Sequence, residues 1–138
     1  MDRGWWMKHI HEVRDTFSGE LATTSGQVRD FGLEPMGTYG VGFHPHGNSG
    51  AGLVAISHMA GAARVIMLGY DCQKTDGKAH WHGDHPRGLG NAGAVAKWPA
   101  QFAKLAETVK GMEVINCTRT TALDCFPRMD LDKALRRT

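Results

Sequence analysis

Residues 48–72 read NSGAGLVAISHMAGAARVIMLGYDC and hold a helix start, a helix stop and a strand in one run. Asn48 or Ser49 is a good N-cap, because a short side-chain oxygen accepts hydrogen bonds from the uncovered first-turn amides. Gly50, Ala51 and Gly52 let the helix approach neighbouring backbone or a ligand, and Gly61 has the freedom of a residue just past a helix end. The spacing predicts a small-residue helix over about 49–60. Val65, Ile66, Met67 and Leu68 follow and are apolar at both alternating phases, which predicts a buried strand over 64–68 with helices on both sides of a parallel sheet. Gly69, Tyr70 and Asp71 fall at its carboxyl end. The polar run 72–80 must then cross the open sheet edge, where folds of this kind bind ligands.

Working outward, Val95, Trp98, Phe102, Leu105 and Val109 step by three and four residues and predict a second helix. Pro99 sets its regular start near Lys97, and Gly111 ends it. A strand over 112–117, a loop over 118–127 and a short terminal helix capped by Asp130 complete a strand, loop, helix, strand unit of parallel type. Upstream, Trp6, Ile10, Val13 and Phe17 form one face of an amphipathic helix over 5–17, ended by Ser18 and Gly19. Trp5 and Trp6 point to different sides of that helix, one toward a core. A short strand is expected within 20–25 and mostly loop over 31–46. The fold class predicted is α/β, a Rossmann-like three-layer parallel sheet shortened at its N-terminus, within a single domain over 1–138.

Length and composition agree with one domain. The chain has 138 residues, a formal charge of +2, 41% hydrophobic and 22% charged residues, which excludes a disordered polyelectrolyte. No apolar run approaches the roughly 18 residues of a membrane span, and the opening MDRGWWMKHI lacks the apolar block of a signal peptide. A cytoplasmic protein with no membrane partner is expected, and nucleic acid is not an expected partner. Cys72, Cys117 and Cys125 have no CxxC spacing, so reduced and partly buried thiols are expected. Glycine, at 18 residues, is about twice its usual share of roughly 7%, which predicts binding loops built from backbone. All eight histidines precede residue 86.

The segment KAHWHGDHP, residues 78–86, contains His80-x-His82-x-Asp84-His85 and formally satisfies the HxHxDH pattern of the metallo-β-lactamases. In that superfamily the pattern follows an apolar strand and needs further histidines downstream. Here polar residues precede it and no histidine follows, which argues against a binuclear hydrolase. A looser divalent-metal site from two of these histidines with Asp84, a solvated loop without chemistry, and a general base or substrate clamp remain as readings. Of these the base or clamp is preferred, making His80, His82 and His85 the catalytic candidates. The residues fix no cofactor, and a divalent metal ion is the one considered. His44 and His46 precede the glycine-flanked helix start at Asn48, Ser49 and Gly50, a place where unpaired amides attract phosphate or carboxylate. The same glycines would equally serve close helix packing. His58, within that helix, reads as a packing residue. Asp71 has three readings, a ribose contact, a metal contact or a cap on the next turn.

In order and local wording, residues 47–127 resemble the C-terminal part of the sialyltransferase-like family, which includes bacterial transferases using CMP-sialic acid, MptE-like pterin pyrophosphokinases and many phage and bacterial proteins. The resemblance is carried by NSG at the helix start, AARVIMLGYD, the loop GKAHWHGDHP and EVINCTRTTAL. It implies a glycosyltransferase-like enzyme acting on a nucleotide or nucleotide-activated metabolite. Ser49 and Gly50 would then contact the nucleotide. From their own positions at the helix start and the strand end, Asn48, Tyr70 and Asp71 are further binding candidates. A loop histidine would be the base, and Asn116, Thr118 and Thr120 would face the nucleotide after the last strand. Those families open with a strand and a GNGPS-type turn that has no counterpart before MDRGWW. The expectation is therefore a shortened relative, a truncated one, or a site completed by a second copy, and a homodimer is predicted. The alternative function is a non-catalytic module on the same fold, phage-borne in one version, that sequesters a ligand or inhibits a host protein.

Overall fold

A computed structural model describes residues 3–23, 30–35, 44, 46–80, 82–85, 87 and 89–136. The chain forms two compact units, one of residues 1–43 with 86–89, the other of residues 44–85 with 90–138. In the first unit, helix α1 (Arg3–Thr16) ends before Ser18 and Gly19, as its pattern predicts. Trp6, Ile10 and Leu33 are its buried centre, with Trp5, Val13, Leu21 and Phe31 packed around them. Of the tryptophan pair, Trp6 is therefore the core residue, and Trp5 meets it edge to face with ring centres 5.1 Å apart. Phe17, expected on the same apolar face, lies one residue beyond the helix and is exposed. Strands β1 (Ala22–Thr23) and β2 (Glu34–Pro35) pair in parallel. The rest of the expected strand over 20–25 and of the loop over 31–46 falls partly outside the described residues, namely 24–25, 36–43 and 45.

The second unit follows the sequence closely. Helix α2 (Ser49–Met59) starts at Asn48, whose side chain accepts from the amides of Gly50 and Ala51 at 2.8 and 3.1 Å. It stops at Gly61, where φ is +79°. There the Gly61 amide donates to the His58 carbonyl and the Ala62 amide to that of Ser57, both at 3.0 Å, a paired closure that satisfies two end carbonyls. Strand β3 (Arg64–Met67) pairs in parallel with β4 (Glu113–Asn116), Arg64 opposite Glu113 and Met67 opposite Asn116. The Arg64 guanidinium and Glu113 carboxylate form an ion pair at the first rung. Between the strands a short 3-10 turn (Val95–Lys97) leads into α3 (Trp98–Thr108), with Pro99 in the first turn where its missing amide costs nothing. The terminal helix α4 (Leu131–Arg136) is capped by Asp130, which accepts from the amides of Asp132 and Lys133.

The result is a small α/β fold with a parallel sheet. Successive strand residues face opposite sides, so the burial of Val114, Ile115 and Asn116 covers both faces of β4. Phe102 and Leu105 of α3 and Val54 of α2 are as deeply buried and form the centre of this unit. Residues 127–129 extend the sheet on the far side of β4, the Asn116 amide donating to Pro127 at 2.8 Å and the Met129 amide to Asn116 at 3.2 Å. β4, rather than β3, is thus the interior strand of the unit. β3 pairs with β4 alone among the described residues, and Leu68, expected to be buried, is 54% exposed.

Candidate functional site

The carboxyl ends of β3 and β4 open onto two clefts. The first, about 800 Å³, is framed by the start of α2, the end of β3, the loop from Cys72 to His80, and Trp98 and Phe102 of α3. The second, about 940 Å³, runs from Leu68 and Asp71 past Thr118–Thr120 to the start of α4. Asp71 borders both.

Local structure explains how the first cleft is built. Gly50 is required by packing: a Cβ there would stand 2.6 Å from Cε1 of Tyr70. The Tyr70 ring in turn meets Phe102 edge to face at 5.7 Å. Tyr70 is held through its backbone, its amide donating to Thr118 Oγ1 at 2.9 Å and its carbonyl accepting from Thr121 Oγ1 at 2.7 Å. Asp71 accepts from Thr75 Oγ1 at 3.0 Å, so of its three readings the turn cap is the one the structure shows. Asp76 and Gly77 both have positive φ, and the Lys78 amide returns to the Thr75 carbonyl at 3.0 Å. This tight turn, favoured by an Asp-Gly pair, folds the loop back and delivers Ala79 and His80 to the cleft.

His80 and the Ser49–Gly50 helix start therefore line the same cleft. His80, His82 and His85 also form one cluster. Their rings are nearly parallel, with centres 5.2 Å apart for His80 and His82, 4.1 Å for His80 and His85, and 5.2 Å for His82 and His85. His85 is fixed from two directions: its ring Nδ1 lies 2.7 Å from the Gly90 carbonyl and its amide donates to Asn91 Oδ1 at 2.6 Å. His80 Nε2 is buried without a hydrogen-bond partner among the described residues. Burial, followed by the neighbouring His85 and His82, lowers the His80 pKa below its ordinary 6.5, with Asp84 acting in the opposite sense.

The other predicted residues divide. Asn48, Ser49 and Gly50 border the first cleft, but Asn48 itself occupies the Gly50 and Ala51 amides that were expected to receive an anion. Thr118 and Thr120 border the second cleft, with the Thr118 hydroxyl turned to the Tyr70 amide. Asn116 is fully buried and borders neither cleft. Its carboxamide oxygen accepts from the Thr118 amide at 3.0 Å and holds the loop after β4. Arg128, which no pattern singled out, braces the same loop by donating to the carbonyls of Thr118 and Arg119 at 2.9 and 2.7 Å. Trp98 was legible only as a helix-face residue, yet it forms a cleft wall with Phe102. Gly90 and Asn91 carry no signal in the sequence, because they act on His85 through a carbonyl and one amide oxygen.

His58 is half-buried in the last turn of α2. His44 and His46 pack edge to face at 4.7 Å, and the His46 amide donates to His44 Nδ1 at 3.0 Å. Cys72, Cys117 and Cys125 are free thiols, the first buried and the others half-buried. No helix among the described residues is long and apolar enough to cross a membrane. No family model, curated protein or solved structure matches this chain.

Proposed function

We propose that the second unit binds a phosphate-bearing ligand, a nucleotide or nucleotide-activated small molecule, at the carboxyl edge of a Rossmann-like layered sheet, and acts as a transferase on it. The observation carrying this reading is the convergence of Ser49, Tyr70, Asp71 and His80 on one cleft of about 800 Å³. That volume falls within the range of small-molecule sites, which combine apolar walls with a few polar groups. Tyr70, Trp98 and Phe102 supply an aromatic wall for a ring system. Lys78 and the Ser49 hydroxyl supply contacts for an anion, since Asn48 already occupies the next two amides. The loop of His80, His82 and His85 supplies the catalytic groups, and the sialyltransferase-like wording of residues 47–127 supports group transfer to an acceptor hydroxyl. Thermal-shift measurements with CMP, UMP, GDP and pterins test the binding. A rise in melting temperature with one of them, reduced by Lys78→Ala, is expected. No shift with any at millimolar concentration overturns the reading.

A second reading, a non-catalytic binding module, is favoured by the way Asn48 closes the first-turn amides and Tyr70 fills the space beside Gly50. It predicts that alanine at His80, His82 or His85 leaves the biological effect intact. The transferase reading predicts that at least one of these variants loses about 10²-fold or more in turnover.

A further inference from the structure

The loop after β3 brings three imidazoles together. One ring nitrogen from each of His80, His82 and His85 lies within 4.8 Å of the other two. The rings stack face to face, 14° or less from parallel. His80 Nε2 is fully buried and has no hydrogen-bond partner among the described residues, an arrangement that leaves a polar atom uncompensated unless something coordinates it. At His85 the Nδ1 contact with the Gly90 carbonyl selects the tautomer protonated at Nδ1 and leaves Nε2 unprotonated, with its lone pair available to a metal. A ligating histidine is commonly oriented by just such a carbonyl on its other nitrogen. Asn91, bonded to the His85 amide, holds the backbone that carries this ring.

From these observations we infer that His80, His82 and His85 bind one divalent transition-metal ion, Zn²⁺ in the first instance, through one ring nitrogen each. An all-imidazole donor set suits Zn²⁺ and disfavours Mg²⁺ and Ca²⁺, which take oxygen ligands. Zinc–nitrogen bonds of about 2.0–2.1 Å place tetrahedral donors about 3.4 Å apart. Metal binding therefore draws the three nitrogens inward from their present spread of up to 4.8 Å. Gly83, with φ at +88° between two of the ligands, allows the loop that adjustment. Three protein ligands leave a fourth position for water or for a ligand oxygen, the composition of a catalytic rather than a structural zinc site. Because His80 also lines the first cleft, the ion would stand beside the proposed phosphate-bearing ligand and polarise it. That use of the metal rests on the proposed function; the binding of the metal does not.

The experiment uses the full chain, stripped with a chelator and titrated calorimetrically with zinc chloride, with no nucleotide present. One Zn²⁺ per chain at micromolar affinity or tighter is expected, with His82→Ala and His85→Ala each weakening binding by about 100-fold or more and Asn91→Ala by about 10-fold. His58→Ala is the control and leaves the affinity unchanged. Co²⁺ added in place of Zn²⁺ gives the visible absorption of a four-coordinate nitrogen site. Circular dichroism confirms that each variant is folded. Absence of stoichiometric binding by the wild-type chain, or wild-type affinity retained in His82→Ala and His85→Ala, overturns the inference. Nucleotide thermal shifts measured separately on chelator-treated protein show whether the ligand reading stands or fails independently of the metal.

Discussion

Cys72 shows how position changes the chemistry of a residue. It is 8% exposed at the cleft edge, and burial, with Asp71 and Cys125 nearby, pushes its thiol pKa up to about 11. The raised value favours the protonated thiol in the folded chain, while the unfolded chain ionises nearer 9. The unfolded state therefore binds fewer protons between those values, and this residue's contribution to stability declines as pH rises from about 9 to 11. Two pKa steps also mean roughly 100-fold less thiolate at neutral pH. In a Cys117→Ser, Cys125→Ser background, alkylation at pH 7.5 is expected to be slower in the native protein than in denaturant by about that factor, as followed by mass spectrometry. Equal rates in the two states would show that Cys72 is not held in this environment. The cysteine spacing predicts reduced thiols, and the three are free; what the spacing does not contain is the neighbourhood that sets their reactivity.

At the scale of elements, α2 is the clearest case of local sequence acting alone. Its first turn is closed by Asn48 and its last by Gly61. Asn48→Ala leaves the Gly50 and Ala51 amides without that acceptor and should destabilise the protein by about 1 kcal/mol. Urea unfolding measures this as a lower midpoint at unchanged slope. Asn48→Ser should retain most of the stability, since serine caps comparably. Helix α3 and strand β4 were equally legible, because a three-and-four apolar spacing and a β-branched run are local signals. β3 shows the limit of such signals. An apolar run of four residues reads as an interior strand, but the number of hydrogen-bonded neighbours depends on segments distant in sequence, and residues 127–129 join β4 instead. Leu68 is exposed for the same reason: it lies beyond the last paired residue of the strand.

At the scale of the whole molecule, β3 of the second unit has an open side among the described residues, with exposed Leu68 just beyond it and exposed Leu53 on α2. Open strand edges and exposed large apolar side chains favour association, and a second copy of this chain is the expected occupant. Light scattering at low micromolar concentration should report a dimer, and Leu68→Lys should shift it toward monomer. A stable monomer in the unaltered chain would contradict this expectation.

From the sequence alone came the helices, the two strands of the second unit, a cap at Asn48 or Ser49, the cap at Asp130, and the placement of candidate residues near a sheet edge. These depend on periodicity and on hydrogen bonds between residues a few positions apart, so they are written locally. Only the tertiary structure decided that His80 shares a cleft with Ser49, that three loop imidazoles stack with Gly90 and Asn91 fixing one of them, and that Asn116 is enclosed rather than facing a cleft. Those facts arise from backbone groups and from residues far apart in the chain, whose meeting is set by how the elements pack, and no spacing rule encodes it.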